Sequence, residues 1–262
     1  MFTGFKNIAV PVYEIVTPQS HLRYTVRSLS VGEEERLKGS LLSSGKVADH
    51  LNKCIFDALI EKPDNVTDYK SFLENTTIKD RDALLFGLYH VTYEEIRNYT
   101  VKCPNCQKES KFTVKASDMF GYKIYPLENI YTAEIAIPLP STIGITAYIK
   151  QPTLVDEDAI YRTVNTAIHP INVALQTIVI SKFEQDILES KTPIEWTDRN
   201  DIIDAYTALR PKDKRAIVDA YSETFGQYCI ELNMKYSCQF CGYSDKTEVD
   251  LVDNFFRMVL TA

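Results

Sequence analysis

The sequence predicts an α+β fold in which helices alternate with short antiparallel hairpins and a four-cysteine ribbon is split between two distant stretches of chain. Three observations predict it. Two Cys-x-x-Cys pairs, Cys103-Pro104-Asn105-Cys106 and Cys238-Gln239-Phe240-Cys241, are each framed by strand-like residues. Several segments place apolar residues at helical spacing behind capping signals. The order strands, acidic helix start, helices, strand, knuckle, strand also runs twice along the chain, which predicts an internal duplication with a pseudo-twofold. The halves fall at 1–130 and 131–262, forming one compact unit joined by a shared metal.

In chain order, Asn7–Val16 and His21–Val26 read as strands joined at Pro18-Gln19-Ser20. Ser30-Val31-Gly32-Glu33 is a capping-box pattern that opens a helix with an acidic first turn, and Ser43-Ser44-Gly45 breaks it. The stripe Val47, Leu51, Cys54, Ile55, Ala58, Leu59 is one face of a second helix, which makes Cys54 a small buried hydrophobe. Phe72-Leu73 marks a short helix, and Thr77 caps another that runs through Leu84, Leu85 and Leu88. Tyr99-Thr100-Val101 enters the first knuckle and Lys111–Val114 leaves it. Beyond it, Ala133–Pro138 and Ile143–Lys150 read as strands, and Thr153–Asp158 as an acidic helix start. Pro170 suits the first position of a long helix with the stripe Ile171, Ala174, Leu175, Ile178, Val179, Phe183, Ile187. Asp198 and Pro211 open two more helices, with Gly226 as a stop. Met234-Lys235-Tyr236 and Thr247-Glu248-Val249 flank the second knuckle, and an apolar tail, Phe255–Leu260, follows. Aligned repeats pair Ile8–Pro11 with Ile135–Pro138, Tyr24 with Tyr148, Val31–Glu34 with Val155–Asp158, Asp80-Arg81 with Asp198-Arg199, Leu84-Leu85 with Ile202-Ile203, and Cys103 with Cys238.

A two-residue gap lets both thiolates of a pair reach one ion, and Zn²⁺ favours four such ligands in a closed tetrahedron. Cys103, Cys106, Cys238 and Cys241 are therefore expected to hold one structural Zn²⁺. The first residues, Met1–Lys6, carry no apolar signal core, so a reducing cytosol is expected over disulfide chemistry. A redox Cys-x-x-Cys normally opens a helix after a strand, whereas these two sit in hairpins. Cys229 lies apart from either pair.

The chain has 262 residues, 45% hydrophobic and 25% charged, as for a globular protein with ample core. No apolar run approaches the roughly 18–20 residues that cross a bilayer, so no membrane partner is expected. A formal charge of −7 argues against binding a phosphate backbone. His21, His50, His90 and His169 fall in no catalytic spacing, and glycine-rich phosphate loops are absent. The acidic triplets Glu33-Glu34-Glu35 and Asp156-Glu157-Asp158 read as solvated first turns favoured by the helix dipole. No enzyme and no small-molecule substrate are expected.

Three stretches together carry a family resemblance: Pro11-Val12-Tyr13-Glu14…Pro18…Tyr24–Glu35; Cys54-Ile55-Phe56 with Phe72-Leu73 and Asp80–Leu88; and Tyr99–Cys106. They resemble the baseplate hub assembly proteins of T-even-type bacteriophages, over about residues 7–160. That resemblance implies a non-enzymatic role in assembling or building the central hub of a contractile-tail baseplate, as a chaperone-like factor or minor component. The implied partners are hub and tape-measure type proteins, met in the host cytoplasm during assembly or in the virion tail. The alternative is a zinc-ribbon adaptor or regulator of nucleic acid or a polymerase. Aromatic and apolar anchors dominate interface energy, so Phe255, Phe256 and Met258 of the tail, with Tyr13 of the opening hairpin, are the candidate partner-binding residues.

Overall fold

A computed structural model describes residues 9–43, 47–93, 96–126, 133–166, 170–186 and 192–248. The first half contains β1 (Val12–Val16), β2 (Arg23–Arg27), α1 (Val31–Ser43), α2 (Val47–Ala58), β3 (Leu59–Glu61), α3 (Tyr69–Asn75), α4 (Ile78–Thr92), β4 (Ile96–Lys102) and β5 (Glu109–Lys115). A connection of α5 (Ala116–Met119) and β6 (Phe120–Tyr122) follows. Then come β7 (Ile135–Pro138), β8 (Ile145–Ile149), α6 (Leu154–Thr166), α7 (Ile171–Gln176), β9 (Ile180–Gln185), β10 (Ile194–Trp196), α8 (Arg199–Ala208), α9 (Pro211–Tyr221), β11 (Ile230–Ser237) and β12 (Ser244–Glu248). A π-helical turn, Ser222–Gly226, extends α9. The fold is α+β with antiparallel pairing in every sheet.

Local chemistry explains the helix starts. Asp68 and Ser71 form a reciprocal capping box on α3, the Thr77 hydroxyl accepts from the Asp80 N–H at the head of α4, and Asp198 accepts from the Asn200 N–H on α8. Pro211 occupies the first turn of α9, where its missing N–H costs nothing. The start of α1 is held by Glu33, which accepts from both the Ser30 N–H and hydroxyl and takes a bidentate pair from Arg27 at 2.6 and 2.8 Å. At α6, Asp156 accepts from the Thr153 N–H and hydroxyl, with Lys150 at 2.9 Å.

Two sheet-on-helix arrangements result. Sheet β1-β2-β3 lies on α4, whose Ala83, Leu84, Leu85, Phe86, Leu88 and Tyr89 are all buried. Helix and sheet approach so closely that a Cβ on Gly87 would sit 3.1 Å from the Tyr13 ring and 3.2 Å from Val26. Sheet β10-β9-β8-β7 packs on α8 and α9 through Ile149, Ile180, Phe183, Ile202, Tyr206 and Ile217. Both sheets carry a bulge at the same step, between Thr25 and Val26 on β2 and between Tyr148 and Ile149 on β8. The hairpin turns are clamped alike. Asp80 of α4 accepts from the Gln19 and Ser20 N–H groups at 2.7 and 3.0 Å, and Asp213 of α9 accepts from the Ser141 N–H and Thr142 hydroxyl at 2.6 and 2.7 Å. Both carboxylates are buried.

The arrangements meet where Thr77 bridges Thr153: the Ile78 N–H donates to Pro152 and the Leu154 N–H to Thr76. Arg81 reaches Glu157 at 2.6 Å beside this bridge, both side chains nearly covered. Leu154 of α6 and Leu232 and Met234 of β11 pack into the first core. The first hairpin tip is covered too, since the Gln19 amide donates to the Phe225 carbonyl and the Tyr125 N–H to the Pro18 carbonyl. The boundary expected at 130/131 lies among residues 127–132, outside the described residues.

The stripe read as a long helix from Pro170 is divided, with α7 ending at Gln176 and Ile180–Gln185 forming the strand β9. Thr177 closes α7 by donating its N–H and hydroxyl to the Ala174 carbonyl. Thr177–Val179 then form a turn in which the Ile180 N–H donates to the Thr177 carbonyl, and β9 gains partners on both edges. The three-residue strands β3, β6 and β10 lie where no strand was expected.

Candidate metal centre

The hairpins β4–β5 and β11–β12 are built to one plan. In the first, the Cys103 N–H donates to Lys108 and the Gln107 N–H to Cys103; in the second, the Cys238 N–H donates to Tyr243 and the Gly242 N–H to Cys238. Each turn closes through a left-handed residue, Gln107 at φ 61° and Gly242 at φ 71°. Glycine adopts that conformation freely, while Gln107 does so at a cost. The result turns both sulfurs of each pair inward.

The two knuckles face each other. Cys103 Sγ lies 3.7 Å from Cys241 Sγ, and Cys106 Sγ lies 3.6 Å from Cys238 Sγ. All four sulfurs fall within 4.8 Å of one another. Four thiolates bound at about 2.3 Å to a tetrahedral ion stand about 3.8 Å apart, so the observed spacing fits such an ion. It is far from the roughly 2.05 Å of a disulfide, and all four thiols are free. The expected set Cys103, Cys106, Cys238 and Cys241 is thus brought to one place from two distant hairpins.

Surrounding donors favour thiolate character. The Phe240 N–H points at Cys238 Sγ, 3.5 Å away, and holds that thiol down to about 6. The Tyr243 N–H, then the Asn105 amide at 3.6 Å, lower Cys241. The Lys108 N–H draws Cys106 the same way, but burial and the neighbouring sulfurs outweigh it and push Cys106 up to about 11. Lys108 Nζ covers the Phe240 ring at 4.9 Å and Gln239 donates to the Lys111 carbonyl, which pins the knuckles together. Cys103 and Cys238 are buried, Cys106 is half-buried and Cys241 is exposed.

The other singled-out residues lie elsewhere. Tyr13 is half-buried on β1, its ring edge-on to Phe86 and to His90, whose centroid is 4.9 Å away. His90 thus takes part in an aromatic cluster. Phe255, Phe256 and Met258 lie outside the described residues, as does His169. Burial pushes the Cys54 thiol up to about 12, in keeping with a packing role. Trp196 lines a cavity of about 450 Å³ with Ile145, Phe183 and Leu209 and the carboxylates Asp201 and Asp204. The acidic starts are engaged in structure, Glu33 with Arg27 and Glu157 with Arg81. Sequence reasoning placed Asp80 at a helix start without reading it as a turn clamp, and passed over Asp213. A carboxylate at the head of the wholly apolar run Ala83–Tyr89 was the available signal, because such a group must be paired when buried.

Comparison with known families decides the affiliation. The profile described as T4 bacteriophage base plate protein matches residues 10–257, nearly the whole chain. The chain belongs to that family. It is a phage baseplate structural protein, and the match extends the resemblance through the C-terminal hundred residues. No curated protein and no solved structure matches significantly. Among the described residues, no helix is long and apolar enough to cross a membrane.

Proposed function

We propose that this base plate family member acts without catalysis, in the assembly or structure of the central hub of the tail baseplate, by presenting surfaces to hub and tape-measure type proteins. The family match over residues 10–257 carries the reading. It is supported by Asp80, Asp213 and the Arg81–Glu157 pair, which clamp the two hairpin turns and join the halves. One Zn²⁺ held by Cys103, Cys106, Cys238 and Cys241 clasps the two hairpins; the ion supplies four bonds and no chemistry.

The two halves, 1–130 and 131–262, are a duplication in this reading. Five correspondences support it: the shared bulge, the paired helix-start clamps Arg27-Ser30-Glu33 and Lys150-Thr153-Asp156, the buried Asp80 and Asp213, the common order of elements, and the matching knuckles. They revise the register expected from sequence. Thr25 rather than Tyr24 answers to Tyr148, Tyr13–Val16 rather than Ile8–Pro11 answers to Ile135–Pro138, Val31–Glu34 answers to Leu154–Glu157 rather than Val155–Asp158, and Asp80 answers to Asp213 rather than Asp198. The sulfurs pair reciprocally, Cys103 with Cys241 and Cys106 with Cys238, as a local twofold requires.

Docking is assigned to the tail residues Phe255, Phe256 and Met258, and to the edge of β1 beside Tyr13, where Val10 and Val12 are exposed. The test is capture of purified hub and tape-measure proteins by the intact chain and by a chain lacking residues 255–262. Lost capture with an unchanged melting curve supports the tail. Full capture by the truncated chain moves docking to β1, and no capture by the intact chain overturns the reading.

A further inference from the structure

The junction between the halves joins unlike positions, and among the described residues this leaves a matching pair of ends uncovered. At the junction the head of α4 meets the head of α6. Arg81 binds Glu157, and Leu154, 1% exposed, is packed into the first core. The helix-start clamps match Leu154 with Val31 and Glu157 with Glu34. The turn clamps match Asp80 with Asp213, hence Arg81 with Lys214 and Thr76 with Leu209. In the first half, however, Val31 is 76% exposed. At the far end of the second half, Ile143 of the hairpin tip is 94% exposed where the first tip is covered. The ends are complementary in charge, since the head of α1 carries Glu34 and Glu35 beside the Arg27-paired Glu33, and the head of α9 carries Arg210, Lys212, Lys214 and Arg215 around the buried Asp213.

We propose that a second copy of this chain docks head to tail, its α1 head seated against the α9 head of the first copy as α6 is seated against α4 within one chain. Lys214 of one copy then meets Glu34 of the next, and Val31 is covered by the surface around Leu209 and Ile143. Glu34 already accepts the Tyr93 hydroxyl at 2.6 Å, and a carboxylate has room for further donors. Lys214 Nζ lies 4.6 Å from the centre of the Tyr206 ring, which places its charge at this end. The Val31 N–H can repeat the Leu154 bond to its partner's carbonyl, whereas Pro211 has no N–H to repeat the bond from Ile78. The contact between copies is therefore weaker than the internal junction and reversible. Because it joins unlike surfaces, it continues as an open chain or closes as a ring.

The inference rests on the correspondence of the halves and requires neither metal nor hub partner, so its test fails independently of the capture assay. Sedimentation velocity of the full chain across a concentration series at low salt should show reversible association that weakens as salt rises. Lys214→Glu and Glu34→Lys should each raise the dissociation constant at least about tenfold, and mixing the two variants should restore association, since opposite charges then meet again. Val31→Asp, at an exposed position, should do the same with an unchanged circular dichroism spectrum, which covers the case in which a Lys214 variant misfolds. A chain that sediments as a monomer at every concentration overturns the proposal, as does association that neither charge reversal nor Val31→Asp alters.

Discussion

The two hairpin tips are held by the same device and end in different surroundings. Asp80 clamps a turn that is itself buried, with Gln19 and Ser20 under the Phe225 carbonyl and Tyr125. Asp213 clamps a turn whose next residue, Ile143, projects into solvent. The carboxylates respond differently. Burial raises Asp80 to about 6 against its backbone donors. For Asp213, burial acts in the same direction, but the Thr142 hydroxyl and the Ser141 and Arg210 N–H groups outweigh it and hold the carboxyl below its ordinary value. A repeated local motif thus fixes a turn in both halves, while the cover over that turn is decided by what packs on it.

The largest test of this contrast is removal of each clamp. Asp80→Ala leaves two buried N–H groups without partners, at about 1–3 kcal/mol each. We expect a loss of about 4 kcal/mol in urea unfolding, against about 2 kcal/mol for Asp213→Ala, where water can reach the open turn. Equal losses would break the comparison. Next is the matched pair at the helix heads. Leu154→Ala should cost about 3 kcal/mol, as for a leucine removed from a core, and Val31→Ala should stay within about 0.5 kcal/mol in dilute monomer.

Metal removal should act locally. Chelation, or Cys106→Ser, is expected to raise amide exchange in both knuckle hairpins while the α2 amides around Cys54 keep their protection, because the helical cores stand without the clasp. Protection lost only in the hairpin that carries the substitution would mean that the hairpins do not share an ion. The smallest effect is the opposite pH response of the clamps. Asp80, raised above its unfolded value of 3.8 to about 6, favours the folded state most at low pH and loses that contribution as pH rises through about 6. Asp213, lowered, contributes fully above 3.8 and loses its contribution as pH falls through its folded value. Carboxyl chemical shifts followed by NMR should separate the two; a shared midpoint would remove the distinction.

Much of this was legible where chemistry is local. The paired cysteines, the Thr77 and Asp198 caps, Pro211 at a first turn and the Ser30–Glu33 start all appear where their residue types demand. Elements defined by partners were not. β3, β6 and β10 are three residues each and exist through pairing, and β9 hid inside spacing that a helix would share. The register of the proposed duplication was not legible, because the correspondences lie in hydrogen-bonding roles, such as Glu33 with Asp156, more than in residue identity. Nothing in the sequence shows that Cys103 faces Cys241 and not Cys238.

That sulfur pairing is the centre of the account, and X-ray absorption of the purified chain, with its metal content measured on the same sample, tests it most directly. One zinc per chain with four sulfurs at about 2.3 Å, falling together in Cys106→Ser and Cys241→Ser, is the predicted result. Two sulfurs per ion completed by nitrogen or oxygen, or a chain that retains no metal with its four thiols reduced, would contradict it.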